Sequence, residues 1–213
     1  MKPSEISDLL RKEVPGMTGI SALKFYYRPY ICPFELLIEH VDKNSDLFDI
    51  GFGSGLMLLL ANKIRSVQKL GGIEISESLL SKATQLLKDA SVKADYLYNF
   101  DGMNIPDEIR NFRNVSMIDV YHHIPKNNQE EFVHNLYHKM SPGSKLIFKD
   151  IDASIKLLLP FNKLHDMVVV KEIGNEISAF KMLEISMQAG FKLVDLFQCR
   201  MFWYSHFCYI LKK

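Results

Sequence analysis

The run DLFDIGFGSGL, residues 46–56, places glycines at 51, 53 and 55 directly behind an apolar stretch. Glycine weakens the interior of a strand or helix, so three within five positions point to something that must approach the backbone closely. A dinucleotide loop needs G-x-G-x-x-G, whereas position 56 here is Leu, and no G-K-[ST] follows to make a Walker phosphate loop. A ligand without a pyrophosphate, such as an adenosyl group, would still need close backbone approach but less of a phosphate cradle. Other groups with chemical capacity are few. His122 and His123 follow one apolar run, and His165 stands beside Asp166. Cys32, Cys199 and Cys208 are widely separated and form no CxxC pair, which fits neither a disulfide framework nor a zinc site.

These residues need a frame, and the chain is long enough to build one. Its 213 residues suffice for a full core in one domain. Apolar residues make up 47% and charged residues 24%, an ordinary balance, and the net charge of +1 supplies no global field to gather nucleic acid. The start, MKPSEISDLL, carries acidic residues and no long apolar stretch, so it does not read as a secretory signal; IKLLLPF, residues 155–161, is too short to span a bilayer and contains Pro160. Cytoplasmic residence is the expectation.

From Asp46 onward, short apolar runs alternate with helix-period segments. DLFDIG, KLGGIEI, ADYLYNF, NVSMIDVY and SPGSKLIFKDI read as strands. SGLMLLLANKIR, SESLLSKATQLLKDA and NNQEEFVHNLYHKM read as helices between them, the first with Ser54 as its expected cap. NEISAFKMLEISMQAG predicts a helix ended by Gly190 in the left-handed conformation. FKLVDLFQC and FWYSHFCYILK then follow without room for a crossover helix, so they are expected to pair antiparallel. The expected fold is α/β: a three-layer sandwich around a Rossmann-like, seven-stranded, mostly parallel sheet with a C-terminal antiparallel hairpin. Residues 1–40 read as a helical N-terminal extension or cap, and residues 41–213 as the main domain. Such sheets bind ligands beyond the carboxyl ends of their strands, where the glycine cluster falls.

DIGFGSG resembles the nucleotide loop of class I S-adenosylmethionine-dependent methyltransferases, of the form D-[IV]-G-x-G-x-G, and the similarity continues in order downstream over roughly residues 46–150. GGIEIS resembles the second strand, whose closing acidic residue grips both ribose hydroxyls; Glu74 holds that position, and a carboxylate suits a vicinal diol because it accepts two hydrogen bonds. NFDGMNI resembles the loop that meets the adenine, and DVYHHI and SPGSKLIFKD resemble the ends of the fourth and fifth strands. Phe52 and Ser144 depart from the usual small residue and second turn glycine, and neither removes a needed hydrogen-bonding group. The resemblance implies S-adenosyl-L-methionine as cofactor, held by Asp49, Gly51, Gly53, Gly55, Glu74, Asp101, Gly102 and Asp119. By the same resemblance, residues 41–213 are the class I methyltransferase domain.

Methyl transfer from a sulfonium is an in-line displacement, so the protein aligns a nucleophile and removes its proton. His122 occupies the place that resembles the general base of small-molecule O-methyltransferases, and His165 beside Asp166 is the other candidate; His123 reads as structural. Asp119 and Asp150 fall near the carboxylates of catechol-type, magnesium-using relatives, but Ile151 stands where an amide would be needed, so no metal is expected. The loop after the fourth strand lacks [DN]-P-P-[YFW], and no cysteine follows that strand, which disfavours nucleic-acid acceptors. Tyr27, Arg28 and Tyr30 are expected to close over the cofactor, with Arg28 pairing its carboxylate, or else to pack the first helix on the sheet. The stretch from Ile151 to Phe180, with Leu157, Leu158, Leu159 and Phe161, is expected to roof an apolar pocket. The expected function is O-methylation of a small apolar or aromatic acceptor, free or presented on a carrier protein or membrane surface. A catalytically inactive scaffold that binds S-adenosylmethionine, or a methyltransferase acting on RNA, are the alternatives.

Overall fold

Every segment read as a strand from the sequence forms one: β1 Asp46–Ile50, β2 Lys69–Glu74, β3 Tyr96–Asn99, β4 Asn114–Ile118, β5 Lys145–Ile151, β6 Lys192–Met201 and β7 Tyr204–Lys212. They assemble into one seven-stranded sheet of order β3-β2-β1-β4-β5-β7-β6. Strands β1 to β5 run parallel, and β7 runs antiparallel to both β5 and β6. The computed structural model describes residues 1–152, 177–202 and 204–213.

Helices cover both faces. Alternate residues of a strand point to opposite faces, so Leu47 joins one core cluster while Phe48 and Ile50 join the other. The first cluster is closed by α1 Pro3–Glu13, α2 Gly19–Tyr27, α3 Phe34–Glu39, α4 Leu56–Arg65 and α5 Glu77–Asp89. The second is closed by α6 Lys126–Lys139 and α7 Ala179–Ala189. This is the three-layer sandwich that the alternation of periods implies.

The first forty residues share their core with the sheet: Ile6, Leu10, Phe25, Tyr26 and Leu37 are buried in the same cluster as Leu58 and Ile147. The Tyr26 hydroxyl donates to the Val14 carbonyl at 2.6 Å, and Lys63 of α4 reaches Glu13 at 2.7 Å. Helix α4 is consequently buried on nearly all sides through its first six residues.

Two local expectations met different outcomes. Gly190 does end α7, with φ 110°. Ser54, however, does not cap α4: the helix starts at Leu56, and Gly55 occupies the cap position in the left-handed conformation. Ser54 thus falls one residue before the cap, and no side chain caps the first turn. No helix among the described residues is long and apolar enough to cross a membrane.

Candidate active site

Strand β1 delivers the glycine loop to the carboxyl end of the sheet, between β2 and β4. Gly51 donates its N–H to the Ile73 carbonyl at 2.7 Å and sits at φ +67°. A Cβ there would stand 2.4 Å from Val120 Cγ2, so this glycine is required by the protein's own packing against the loop after β4. Gly53 differs. At φ +55° it would carry a Cβ with nothing within 4 Å, so its front is open space. The third, Gly55, abuts Ala83 of α5, whose Cβ would be 3.2 Å away.

The Gly53 N–H points to Glu74 Oε2 at 2.8 Å, and the Ser76 N–H reaches Oε1 at 2.9 Å. Each oxygen of the carboxylate therefore has one fixed donor and keeps further acceptor capacity, as a diol requires. Asp49 lies beneath, buried, accepting the Ser116 hydroxyl at 2.6 Å. Burial pushes its carboxyl up to about 7, against the Ser116 hydrogen bond and reinforced by the negative Glu74. Asp49 thus ties β1 to β4 from within the sheet.

The loop after β3 is shaped by Asp101, which accepts from the backbone N–H groups of Met103 and Asn104 and from the Asn104 side chain. The hydrogen bonds from Asn104 and Met103 hold its carboxyl below the usual range. Around it the sequence reading missed two residues. Ile75, directly after Glu74, is 65% exposed, and Met103 is 45% exposed. A Cβ on Gly102 would stand 3.7 Å from Ile75 Cδ1, so the two loops face each other. The exposure of Ile75 and Met103 comes from the structure, and nothing in the sequence pattern singled them out.

Beyond β4 the site becomes charged. Asp119, at φ +56°, accepts from Arg28 Nη2 at 2.5 Å and from the ammonium of Lys149, which is buried on β5. Burial alone would raise the Asp119 carboxyl, but Lys149 and then Arg28 outweigh it and hold it well below the carboxylate range. Burial likewise works to lower Lys149, and the Asp119 charge overcomes it, keeping the ammonium charged. Arg28 is therefore engaged with Asp119, 91 residues away, where the sequence suggested a cofactor carboxylate. Tyr27 and Tyr30 stack at 5.8 Å, and Tyr27 meets Phe202 of the β6–β7 turn at 6.2 Å, an aromatic rim at this end of the sheet.

His122 is buried in the short helical turn after β4 and gripped twice by Asp150 of β5. Its backbone N–H reaches Oδ2 at 3.1 Å, and its Nδ1 lies 2.6 Å from Oδ1. A carboxylate in this position accepts, which makes Nδ1 the donating nitrogen of the pair. The His123 ring lies 4.1 Å from that of His122, centre to centre. Asp150, weighed from the sequence only as a metal-type carboxylate, was not singled out there as its partner. His165, Asp166 and the expected roof residues Leu157 to Phe161 lie outside the described residues. Among the described residues, no group of three or more His, Cys, Asp or Glu side chains is arranged to hold a metal ion.

The arrangement fits an adenosyl ligand, because Gly53 fronts open space beside the Glu74 carboxylate. Comparison with known proteins agrees. Residues 26–196 match the family described as Methyltransferase domain. The carboxy-S-adenosyl-L-methionine synthase of Campylobacter fetus subsp. fetus (strain 82-40) is 24% identical over 168 residues, 74% of this chain and 67% of that protein. Among solved structures, a SAM-dependent methyltransferase from Aquifex aeolicus superposes with TM-score 0.65 at 16% identity, covering 100% of both chains. The methyltransferase in complex with the Trm112 activator from Haloferax volcanii gives 0.71 at 10% identity, covering 98% of this chain and 97% of that one. The [4+2]-cyclase SpnF gives 0.70 at 14% identity, covering 98% and 92%. With four-fifths of its length matched by one family and an acid in register with an open glycine loop, the chain belongs to the methyltransferase-domain family, as a class I enzyme that uses S-adenosyl-L-methionine.

Proposed function

We propose that this enzyme methylates an oxygen of a small apolar or aromatic acceptor, with His122 as the general base. The observation that carries the reading is the Asp150–His122 pair, in which one carboxylate holds both the backbone and the ring of the histidine. When bound, S-adenosylmethionine supplies an electrophilic methyl group on a sulfonium. Gly53 leaves room for it, the Glu74 oxygens accept from the ribose hydroxyls, and Ile75 and Met103 flank the adenine. Gly51 and Gly55 hold the loop's shape, Asp101 and Gly102 shape the second loop, and Asp49 secures β1 against β4.

His122 then takes the acceptor's proton on Nε2, while Asp150 keeps the ring in the required tautomer and stabilises the charge that forms. The acceptor approaches from the side of β4 and β5, where Tyr27, Tyr30 and Phe202 offer aromatic surface. Asp119 serves as the anchor that draws Arg28, and the segment carrying it, onto the sheet ends.

Transfer of label from the cofactor to a panel of phenolic, acyl, sugar and RNA acceptors tests the reading. Labelling confined to phenolic or acyl acceptors and lost in His122→Ala supports it. Preferential transfer to sugar or RNA, or full activity in His122→Ala, overturns it.

A further inference from the structure

His206 lies on β7, fully buried, and neither of its ring nitrogens has a hydrogen-bond partner. A buried unpaired polar group is destabilising, and an imidazole has two such groups. A histidine held there for packing alone would be poorly chosen. Its position explains more. In the β5–β7 ladder, Ile151 pairs with His206 and Lys149 with Cys208. Directly opposite residues share a face and alternate residues return to it, so His206 and Lys149 project to the same side, one two-residue step apart, roughly 7 Å along the ladder. Cys208 and Ile147 place that side under the N-terminal helices.

Lys149 has its own deficit. Its ammonium is buried and carries three protons, and Asp119 is the acceptor that the structure gives it. Two protons are left without an acceptor among the described residues. A buried charge is tolerated only when its remaining protons are satisfied. The imidazole beside it stays neutral: burial, then the charges of Lys149 and Arg28, push its pKa down to about 3 against the pull of Asp119. The Ile31 backbone favours the protonated ring without reaching hydrogen-bond geometry. A neutral ring offers one N–H donor. The Lys149 ammonium and the His206 imidazole thus lie on the same side of β5 and β7 at the carboxyl end of β5, close to Arg28.

We propose that His206 and Lys149 form a subsite that takes a carboxylate of the methyl acceptor, so that the acceptor is a small acid. The proposal rests on the acceptor being a small molecule, and it changes what the apolar roof suggested: an aromatic or acyl body with an acidic end. The cofactor's own carboxylate is a poorer occupant. Gly53 stands after β1, and β7 lies three strand spacings away across β4 and β5, about 14 Å. A methyl group presented from the β1–β4 side lies between, so what reaches β7 is the acceptor.

The test uses two isosteric probes with a phenolic hydroxyl, 4-hydroxybenzoate and 4-hydroxybenzamide, titrated into the full chain saturated with S-adenosylhomocysteine. The acid is expected to bind at least tenfold tighter than the amide. His206→Leu should abolish that preference, leave S-adenosylhomocysteine affinity within about twofold, and melt at or above the parent, because the unpaired ring nitrogens are gone. Lys149→Met provides the second variant, with Arg28 still paired to Asp119. Equal binding of acid and amide, no detectable binding of either, or an acid preference that survives in His206→Leu overturns the proposal. A parallel loss of S-adenosylhomocysteine affinity in His206→Leu also overturns it, by assigning the site to the cofactor. An acid preference with no methyl transferred to the phenolic oxygen supports the carboxylate subsite while counting against oxygen methylation.

Discussion

The Gly53 N–H stands 2.8 Å from Glu74 Oε2, so the loop after β1 and the end of β2, 21 residues apart in the chain, already hold one another in position. One carboxylate serves two purposes here: it fixes the glycine loop and presents acceptor oxygens to a ligand. Glu74→Gln should keep one loop contact and fold, while S-adenosylhomocysteine affinity drops at least tenfold. Glu74→Ala should lose both the Gly53 and Ser76 contacts, and destabilise by about 1–3 kcal/mol as well. Calorimetric titration and urea unfolding separate the two effects. Unchanged affinity in Glu74→Ala would remove the diol-binding role.

The glycine loop predicts an asymmetry. Gly53→Ala enters open space, so its folding cost is the left-handed backbone alone, about 1–2 kcal/mol, while cofactor affinity should fall strongly. Gly51→Ala carries the same strain and also drives a Cβ to 2.4 Å from Val120 Cγ2, so it should melt clearly lower than Gly53→Ala. Melting temperatures with and without S-adenosylhomocysteine read both. A Gly53→Ala protein with normal ligand-induced stabilisation would show that the open space is not where the ligand lies.

Asp150→Asn keeps the shape of the His122 contact but exchanges a pure acceptor for a group that also donates. With the ring in the wrong tautomer, turnover should fall on the order of a hundredfold or more, cofactor affinity staying nearly constant. His122→Ala should lose about as much, and the double variant little further, because the two act as one unit. Additive losses in the double variant would contradict a shared role.

Two buried groups should make stability depend on pH in opposite directions. Asp49 is raised from 3.8 to about 7, so between those values the native state holds a proton that the unfolded chain has released, and stability falls as pH rises. His206 is lowered from 6.5 to about 3, so between those values the unfolded chain holds the extra proton and stability rises with pH. Across about pH 4 to 6.5 the two slopes, each at most about 1.4 kcal/mol per pH unit, oppose each other. Asp49→Asn should therefore expose a rising stability over that range, and His206→Leu a falling one. Denaturant midpoints measured against pH decide it; parallel profiles for parent and both variants would refute the assignment.

What the sequence determined by itself was local in origin. Period-two and helix-period apolar runs set the strands and helices, because each element must bury one face. Gly190 could be read because left-handed backbone favours glycine where a helix ends, whereas Gly51 and Gly53 read as clearing space for a ligand, and their left-handed φ emerged from the structure. Glu74 was named through the resemblance of GGIEIS to a family strand that closes in an acid, and not through local propensity. Tertiary structure decided who meets whom. Asp150 reaches His122 across 28 residues, Arg28 reaches Asp119 across 91, and His206 comes beside Lys149 only through the β5–β7 register. A slip of one residue in that register would turn His206 to the opposite face of the sheet, and no periodicity within β7 reports which residue of β5 lies opposite. The start of α4 at Leu56 likewise emerged only in the structure, where Gly55 takes the cap position in the left-handed conformation, one residue beyond the Ser54 that local propensity favoured.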